Sequence, residues 1–374
     1  MVEQVLHLLQ DPSPQLLLFA GFILAVVVSH ISFPVIIYIA HIKKLMDMPG
    51  ERSVHKHKVP TLGGVGIFLG VSLVLTFIGA AMQTNHILPV LGAIIVLFFI
   101  GIKDDILVLS AKKKFLAQLF VAAFVIMVSD MRINSFSGIL GIQQLPYLLS
   151  VGFTVFVYIL IINAYNLIDG IDGLAGGVGM ISTLAFGLFF IISGHYGYAL
   201  VSVALFGALV PFLVYNFSNR RKIFMGDTGS MIVGFLLSFQ AISFIHLNQV
   251  HPDSLFFDKA PVMAVAILFF PLVDTLRIFF VRIVMLKQSP FTADKNHIHH
   301  RLLELGLNHK QATLLIGLSS IGLIVIAAGL ATYEHHLYLA MVLALGLLLF
   351  SIPFLMSRSK HALQGMKKIS NLFF

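Results

Sequence analysis

Apolar residues fill most of this chain in long runs, and short polar segments separate one run from the next. A helix that crosses a membrane needs about 20 mostly apolar residues. The runs meet this requirement and predict eleven membrane-spanning helices. Their approximate bounds are 15–41, 63–82, 87–102, 115–129, 146–165, 174–193, 198–215, 229–247, 261–281, 311–332 and 337–356.

The composition supports the same class of protein. Hydrophobic residues make up 58% of the 374 positions and charged residues only 11%, whereas soluble proteins carry roughly 25% charged residues. The mean hydropathy is +0.98. The chain contains no cysteine, which excludes disulfides and thiolate metal sites. No linker or low-complexity segment divides it, so we expect one all-α integral membrane domain over residues 1–374.

The basic residues predict how the helices are oriented. Of the 24 Lys and Arg residues, 22 lie in one set of loops or at the adjoining helix ends, and 2 (Arg132 and Lys259) lie in the opposite set. Loops rich in Lys and Arg remain in the cytoplasm. We therefore expect the N-terminus outside, the C-terminus in the cytoplasm, and no nucleic-acid partner despite the net charge of +8.

The acidic residues also gather on the predicted cytoplasmic side. Ten of the 16 carboxylates fall there, most of them at predicted helix ends: Asp47, Glu51, Asp104, Asp105, Asp169, Asp172, Asp227, Asp274, Asp294 and Glu304. An ionisable group at membrane depth is costly and marks a functional site by default, although one aspartate at a helix end is also explained as a cap. Several acid-bearing loops on one face favour an active site formed by cytoplasmic loops.

The first of these loops reads MPGERSVHKHKVPTLGGVGIF. Its cations, Lys58 among them, precede a glycine turn at a helix start, where an anion can bind. The alternative is a positive anchor on lipid headgroups.

The second loop, GIKDD, pairs Asp104 with Asp105 ahead of Lys114. Two adjacent carboxylates can bind Mg²⁺ or act as a base toward a phosphate.

The third loop, NAYNLIDGIDGLAGG, places Asn166, Asp169 and Asp172 between two apolar runs. Its glycines predict that the helix breaks there, and oxygen ligands on irregular backbone suit a hard cation and a nucleotide.

The fourth loop, FMGDTGS, sets Asp227 between glycines where a helix begins. Asp227 is explained equally well as an N-cap and as a metal ligand near a phosphate.

The fifth loop, SPFTADKNHIHHRLLELG, carries His297, His299, His300 and Arg301. Three histidines suggest zinc, but the spacing i, i+2, i+3 puts them on different faces of a helix. The set is better suited to donate hydrogen bonds to phosphate oxygens.

Taken in order, the five segments resemble the polyprenyl-phosphate N-acetylhexosamine-1-phosphate transferase family (glycosyltransferase family 4) over nearly the whole chain. The related MraY enzymes, which transfer phospho-MurNAc-pentapeptide, carry three consecutive histidines. The interrupted run His297-Ile298-His299-His300 is instead similar to the WecA/TagO branch, which uses UDP-N-acetylglucosamine. The resemblance implies about ten or eleven spans, dependence on Mg²⁺ with Mn²⁺ as a substitute, and a multi-pass protein of the bacterial cytoplasmic membrane.

The resemblance implies transfer of N-acetylglucosamine-1-phosphate from UDP-GlcNAc to undecaprenyl phosphate, with release of UMP, as the first membrane step of a cell-surface polysaccharide pathway. The alternatives are an MraY-like translocase, a transferase for another UDP-HexNAc and, from a different class, a membrane transporter. The expected partners are a UDP-sugar donor and a polyprenyl phosphate acceptor, and a homodimer is compatible with both.

The resemblance also implies roles for individual residues. Asn166 and Asp227 match Mg²⁺ ligands, and Asp104, Asp105 and His297 match catalytic positions. The positions that match substrate-binding residues are Lys58, Lys114, Asp169, Asp172, His299, His300 and Arg301. We expect direct in-line attack by the lipid phosphate, which Asp104 or Asp105 deprotonates or orients, rather than a covalent phospho-aspartate.

Overall fold

The computed structural model describes residues 12–47, 59–250, 259–287 and 296–370. These residues are mostly helical, and one antiparallel sheet pairs β1 (Met46–Asp47) with β2 (Val59–Pro60). The helices are α1 (Pro14–Lys43), α2 (Gly63–Ala81), α3 (Leu88–Leu107), α4 (Ala111–Ser129), α5 (Tyr147–Ile168), α6 (Leu174–Ile192), α7 (Tyr196–Asn216), α8 (Gly226–Val250), α9 (Ala260–Ile267), α10 (Phe269–Phe280), α11 (Ile298–Glu304), α12 (His309–Leu330) and α13 (His335–Ser370). Short 3-10 turns span Asn85–Ile87 and Ile139–Gly141, and a π-helical turn, Val281–Met285, follows α10.

The predicted membrane-spanning segments all coincide with helices. Segment 261–281 corresponds to the pair α9 and α10, and each other segment corresponds to one helix. Within the described residues, nine helices are long and apolar enough to cross a membrane, or ten if the bent α9–α10 pair is one span. Segment 115–129 lies in α4, which begins with three lysines and is outside that set. The all-helical membrane fold is confirmed, while the count of eleven and the orientation stay predictions.

Helix α8 lies at the centre of the bundle. In its most apolar 18-residue window, 94% of the residues are buried inside the protein, against 22% in α12. Glycines let neighbouring helices approach it closely: a side chain on Gly234 would meet the Cα of Ile162 at 2.8 Å, and one on Gly101 would clash with the Cα of Thr228. Helices in membranes commonly pack through such small residues. This packing fixes α8 against α3 and α5, which both carry candidate site residues.

The pair α9–α10 bends by 79° at its break. Pro271 explains the break, because it has no N–H for the carbonyl of Ile267 and its ring crowds that carbonyl. The hydroxyl of Ser182 donates a hydrogen bond to Ile267 O at 3.2 Å, and the freed carbonyl is thereby satisfied inside the bundle. Beyond the break, α10 carries Asp274 and Arg277.

One end of the bundle, called here the polar end, collects the last turns of α3 and α5 and the first turns of α4, α6 and α8. Two segments pair there through their backbones. Phe224 N–H donates to Pro60 O at 2.8 Å, Gly63 N–H donates to Phe224 O at 2.9 Å, and Gly64 N–H donates to Met225 O at 2.9 Å. A side chain on Gly63 would clash with Phe224 O. The glycine turn, for which anion binding and a headgroup anchor were the two alternatives, admits neighbouring protein backbone.

Candidate active site

An acidic cluster lies at the polar end. Its members come from four helices: Asp104, Asp105, Lys114, Asn166 and Asp227. The two adjacent aspartates lie in the last turn of α3, the asparagine lies in the last turn of α5, and Asp227 lies in the first turn of α8. The segments that were described from the sequence as loops therefore place these five residues in the end turns of helices. A helix end restricts a side chain more than a free loop does.

Asp105 binds the N-terminus of α8. Its Oδ1 accepts a hydrogen bond from Asp227 N–H at 2.7 Å, and its Oδ2 accepts from the N–H and the hydroxyl of Thr228 at 3.1 and 2.5 Å. A carboxylate is favourable there because the first N–H groups of a helix lack partners within the helix and form the positive end of its dipole. Both oxygens of Asp105 are therefore engaged in holding Asp227 in place.

Lys114 connects two acids. Its Nζ forms an ion pair with Asp104 Oδ2 and lies 3.1 Å from Asp227 Oδ1. The side chain of Asp104 is only 1% exposed, and its Oδ1 accepts a hydrogen bond from Leu109 N–H at 2.6 Å. A buried carboxylate needs partners of this kind. The side chain of Asp227 is 31% exposed, so Asp227 is the accessible acid of the two.

Asn166 completes the acidic cluster. Its Nδ2 lies 2.5 Å from Asp227 Oδ1 and 2.9 Å from Ser230 Oγ. Within the described residues its amide oxygen has no hydrogen-bond partner. Carboxylate and amide oxygens are the ligands that Mg²⁺ takes in proteins. The donor set formed by Asn166 and the accessible Asp227 therefore fits a hard divalent cation.

Asp169 directly follows α5, beside the acidic cluster. Burial and then the negative charges of Asp227, Asp105 and Asp172 raise the pKa of its carboxyl to about 7. Among the residues that the structure describes, none donates a hydrogen bond to this carboxyl. The negative charge here exceeds what Lys114 can neutralise, which is the electrostatic condition that attracts a further cation.

Asp172 is a tethered acid. Its Oδ2 lies 2.6 Å from Lys222 Nζ and 3.0 Å from His309 Nδ1. Burial raises its pKa, but hydrogen bonds from His309 and Lys222 lower it more, and the net pKa lies below the usual value. Thr313 also donates to its backbone carbonyl at 2.9 Å. Asp172 thereby ties the turn after α5 to α12.

A histidine cluster lies next to the acidic cluster and consists of Asp274, His297, His299 and His300. Asp274 is fully buried in α10. Its Oδ2 lies 2.7 Å from His297 Nδ1, and its Oδ1 accepts a hydrogen bond from Ile298 N–H at 2.9 Å. The carboxylate therefore fixes both the ring of His297 and the start of α11.

His299 joins the two clusters. It is 1% exposed, and neither ring nitrogen has a hydrogen-bond partner in the described part of the chain. Burial, followed by the charges of His300, His297 and His309, lowers the pKa of its imidazole well below the usual value. A side chain on Gly170 would meet His299 Nε2 at 2.6 Å, so glycine beside Asp169 is what lets the neutral ring approach.

The geometry of the histidine cluster bears on the zinc alternative. Ligand atoms of Asp274, His297 and His299 lie within 4.8 Å of one another. A tetrahedral zinc ion bound at about 2.0–2.1 Å would hold two ligand atoms roughly 3.3 Å apart. The Asp274 oxygen and His297 Nδ1 are 2.7 Å apart, which is a direct hydrogen bond. The arrangement therefore fits a carboxylate–imidazole pair rather than two ligands of one ion.

The remaining predicted substrate residues lie at the edge of the histidine cluster. Arg301 donates to Glu304 Oε2 at 2.8 Å and to the side-chain oxygen of Asn296. The ring centroid of His300 lies 4.3 Å from that of His299. Lys58 lies outside the described residues. The structure thus brings the other predicted site residues together at one end, where they make distinct contacts.

An apolar cavity of about 640 Å³ lies between α5, α9, α10 and α13. Its lining reaches from Ile133 and Phe136, which precede α5, to Leu276 and Arg277 of α10. The guanidinium of Arg277 lies 4.1 Å from the ring centroid of Phe354 and donates to the carbonyl of Asn296. This apolar cavity, called the apolar groove below, therefore ends at a cation beside the histidine cluster.

Among the acids and histidines of the site, Asp274 and His309 received no role from the sequence. Asp274 stands in the apolar segment FFPLVDTLRIFF, and an acid inside such a segment was the available signal. His309 begins α12, and its only signal was a position near other polar residues. Their partners are 23 and 137 residues away in the chain, which is why the spacing of motifs could not assign them.

Comparison with known proteins gives consistent matches. The model of the family described as glycosyl transferase family 4 matches residues 87–245. A Bacillus subtilis protein named probable undecaprenyl-phosphate N-acetylglucosaminyl 1-phosphate transferase is 32% identical over 338 residues, covering 88% of this chain and 89% of that protein.

Two further relatives have related names. The undecaprenyl-phosphate alpha-N-acetylglucosaminyl 1-phosphate transferase of Escherichia coli K12 is 31% identical over 82% of both chains. The decaprenyl-phosphate N-acetylglucosaminephosphotransferase of Mycolicibacterium smegmatis is 34% identical over 80% of this chain and 78% of that protein. The three names share N-acetylglucosamine phosphate transfer; two name undecaprenyl phosphate and the third names decaprenyl phosphate.

Proposed function

Because this chain belongs to glycosyl transferase family 4, we propose that it transfers N-acetylglucosamine-1-phosphate from UDP-GlcNAc to undecaprenyl phosphate, and that the products are undecaprenyl-diphosphate-GlcNAc and UMP. The observation that carries this proposal is the junction of an acidic cluster, a histidine cluster and a membrane-embedded apolar groove at one end of the bundle. A charged headgroup and an apolar tail need these two environments side by side.

The reaction exchanges one phosphoanhydride bond for another. An oxygen of the lipid phosphate forms a bond to the β-phosphorus of the UDP-sugar, and the bond from that phosphorus to the bridging oxygen of UMP breaks. One such bond forms as one is lost, so no further energy source is required. Catalysis then depends on positioning two anions and on stabilising their charge.

We assign Mg²⁺ to Asn166 and Asp227. Bound there, the ion would neutralise charge on the diphosphate of the donor. Lys114 adds a fixed positive charge 3.1 Å from Asp227. Asp105 holds the backbone of Asp227 and Thr228, so we give it an orienting role rather than that of a base.

The acceptor phosphate is proposed to enter from the apolar groove. The prenyl tail would lie along the apolar lining, and Arg277 at the polar end would attract the phosphate. Direct attack by that phosphate follows from this placement, since it needs only proximity and charge stabilisation. Asp104 is paired with Lys114 and acts in the proposal by fixing that cation.

The distribution of charge favours an enzyme over a transporter. Transporters place ionisable groups near the bilayer midplane within broken helices. Here Asp227 is the second residue of α8, and Asp169 follows the last residue of α5. We propose that this end faces the cytoplasm of a bacterial inner membrane, as the distribution of Lys and Arg predicts.

The proposal is tested by release of UMP from purified protein with Mg²⁺ and undecaprenyl phosphate. UDP-GlcNAc, UDP-GalNAc and UDP-MurNAc-pentapeptide are offered in parallel, with the Asp227→Asn variant as the inactive control. Asp130→Asn, which changes an exposed acid paired with Arg132, is the matched active control. Release with UDP-GlcNAc is expected.

Other outcomes of this assay are equally informative. Release with UDP-MurNAc-pentapeptide alone would support an MraY-like translocase. Release with UDP-GalNAc alone would identify N-acetylgalactosamine, rather than N-acetylglucosamine, as the sugar of the donor. Absence of release with all three donors would reject the transferase proposal. Chelation followed by addition of Mg²⁺ or Mn²⁺ tests the cation separately.

A further inference from the structure

The most deeply buried acid of the site lies outside the acidic cluster. Asp274 is 0% exposed, and it sits three residues beyond the proline that breaks the α9–α10 pair. A carboxylate at that depth is costly unless its oxygens are hydrogen-bonded. The surrounding structure supplies partners to both oxygens, which indicates a specific task for the group.

The two oxygens of Asp274 have different partners. Oδ1 accepts the N–H of Ile298 at 2.9 Å, and Oδ2 lies 2.7 Å from Nδ1 of His297. The guanidinium of Arg277 lies 3.9 Å from Oδ1. A carboxylate accepts hydrogen bonds, so this contact calls for the proton on Nδ1 of His297, and in the neutral ring Nε2 then has the lone pair.

We propose that Asp274 is a positioning residue that holds His297 in the Nδ1–H tautomer with its Nε2 directed away from Asp274, ready to exchange a proton with the phosphate groups of the reaction. This rests on the proposed transferase function and deepens it. Nε2 lies across the ring from the carboxylate, and the side chain of His297 retains 6% exposure on a ring that is otherwise enclosed.

The neighbouring His299 differs from His297 in its hydrogen bonding. His299 stacks on His297 with ring centroids 5.4 Å apart. Its nitrogens lack hydrogen-bond partners in the described residues. One imidazole is thus fixed in tautomer and orientation by an acid, while the next is kept neutral by burial. A carboxylate behind a histidine is the arrangement that sets the tautomer of a general acid or base.

A purely structural role for Asp274 is the alternative, because the same carboxylate also holds the start of α11 through Ile298 N–H. A double-mutant cycle separates the two. The variants are Asp274→Asn, His297→Gln and the double variant, assayed for UMP release with UDP-GlcNAc and undecaprenyl phosphate. Asn is nearly isosteric, but its amide can donate to Nδ1 and thereby select the opposite tautomer.

The positioning role predicts a loss in kcat with little change in KM. Asp274→Asn should reduce kcat by about 10²- to 10⁴-fold in the wild-type background and by less than about threefold in the His297→Gln background. Thr275→Val is the matched control, because it removes a buried hydroxyl that has no partner in the described residues. It should retain activity within about threefold.

Equal losses from Asp274→Asn in both backgrounds, or a loss confined to KM, would assign Asp274 a structural role and overturn the proposal. The tautomer can also be observed without turnover, by ¹⁵N spectra of histidine-labelled protein in nanodiscs, with the His297 signal identified by its absence in His297→Gln. The Nδ1–H tautomer is expected in the wild type. Observation of the Nε2–H tautomer there would overturn the proposal even if Asp274→Asn does not fold.

The two readouts distinguish this proposal from the proposed function. A wild-type protein that releases no UMP with any donor, yet shows the Nδ1–H tautomer, would reject the transferase function and leave the Asp274–His297 pair intact. A protein that releases UMP but shows no energetic coupling between Asp274 and His297 would support the transferase function and reject the positioning role of Asp274.

Discussion

The acidic cluster and the histidine cluster solve the problem of a buried carboxylate in opposite ways. In the acidic cluster, Lys114 lies between Asp104 and Asp227, and the side chain of Asp227 stays 31% exposed. In the histidine cluster, Asp274 is fully buried and both of its oxygens face nitrogen atoms. The first cluster carries net negative charge at an accessible surface. The second cluster holds a proton between Asp274 and Nδ1 of His297.

This difference indicates a division of labour. Uncompensated carboxylate charge suits a cation and the phosphates it binds, whereas a hydrogen-bonded carboxylate behind an imidazole controls one proton. The clusters meet where Gly170 lies against His299, directly after Asp169. Substitutions in the two clusters should therefore fail in different ways, and the following predictions run from the largest expected effect to the smallest.

Loss of the accessible acid should have the largest effect. Asp227→Asn keeps the shape of the side chain but removes the charge that faces Lys114 and the proposed cation. We expect kcat for UMP release to fall by about 10³-fold, with a higher Mg²⁺ concentration needed for half-maximal rate. Asp130→Asn serves as control. Retention of wild-type Mg²⁺ dependence in Asp227→Asn would place the cation elsewhere.

The next effect concerns the acid that holds Asp227. Asp105→Asn should lower kcat by about 10- to 100-fold, because Asn cannot accept all three hydrogen bonds from Asp227 and Thr228. Its thermal unfolding temperature in detergent should also fall, since the first N–H groups of α8 lose part of the acceptor that holds them. A loss as complete as that of Asp227→Asn, without a change in stability, would argue instead for direct action of Asp105 on substrate.

Arg277 links the groove to the histidine cluster and should affect the acceptor more than the donor. Arg277→Gln is expected to raise the KM for undecaprenyl phosphate about tenfold, which corresponds to one lost charge-assisted hydrogen bond. The KM for UDP-GlcNAc should hardly change. Arg220→Gln, at an exposed position, is the control. An equal rise for both substrates would mean that Arg277 supports the fold of the whole site.

The smallest effect concerns stability. The pKa of Asp169 is raised from 3.8 to about 7, so the folded protein retains a proton that the unfolded chain has lost over this pH range. Stability therefore falls as pH rises from about 4 to about 7 and stays lower above it. Asp169→Asn removes this penalty.

The measurement is the thermal unfolding temperature of Asp169→Asn and wild type in detergent at about pH 4 and about pH 8. The variant should unfold a few degrees higher at the higher pH, and the difference should vanish at the lower pH. Mg²⁺ should reduce this difference in unfolding temperature, because a nearby cation favours the ionised form of Asp169 in the wild type. A variant less stable than wild type at the higher pH would contradict this account.

Much of the site could be predicted from residue types and local pattern. Asp104, Asp105, Asn166, Asp169 and Asp227 were expected at helix ends, and the structure places them there. Their different roles could not be predicted. The hydrogen bond from Asp227 N–H to Asp105 and the contact of Lys114 with Asp227 join residues 122 and 113 positions apart, and no local spacing encodes such contacts.

The sequence by itself determined the membrane class and the polar ends of the helices, because the length of an apolar run and the cost of a charge in lipid are properties of each segment alone. The tertiary structure decided which acid is capped, which is paired and which is exposed. It also decided that the chain bends between α9 and α10 near Pro271, that Asp274 meets His297, and that a groove ends at Arg277. These facts depend on how close separate helices approach, and glycines such as Gly101 and Gly234 set that distance.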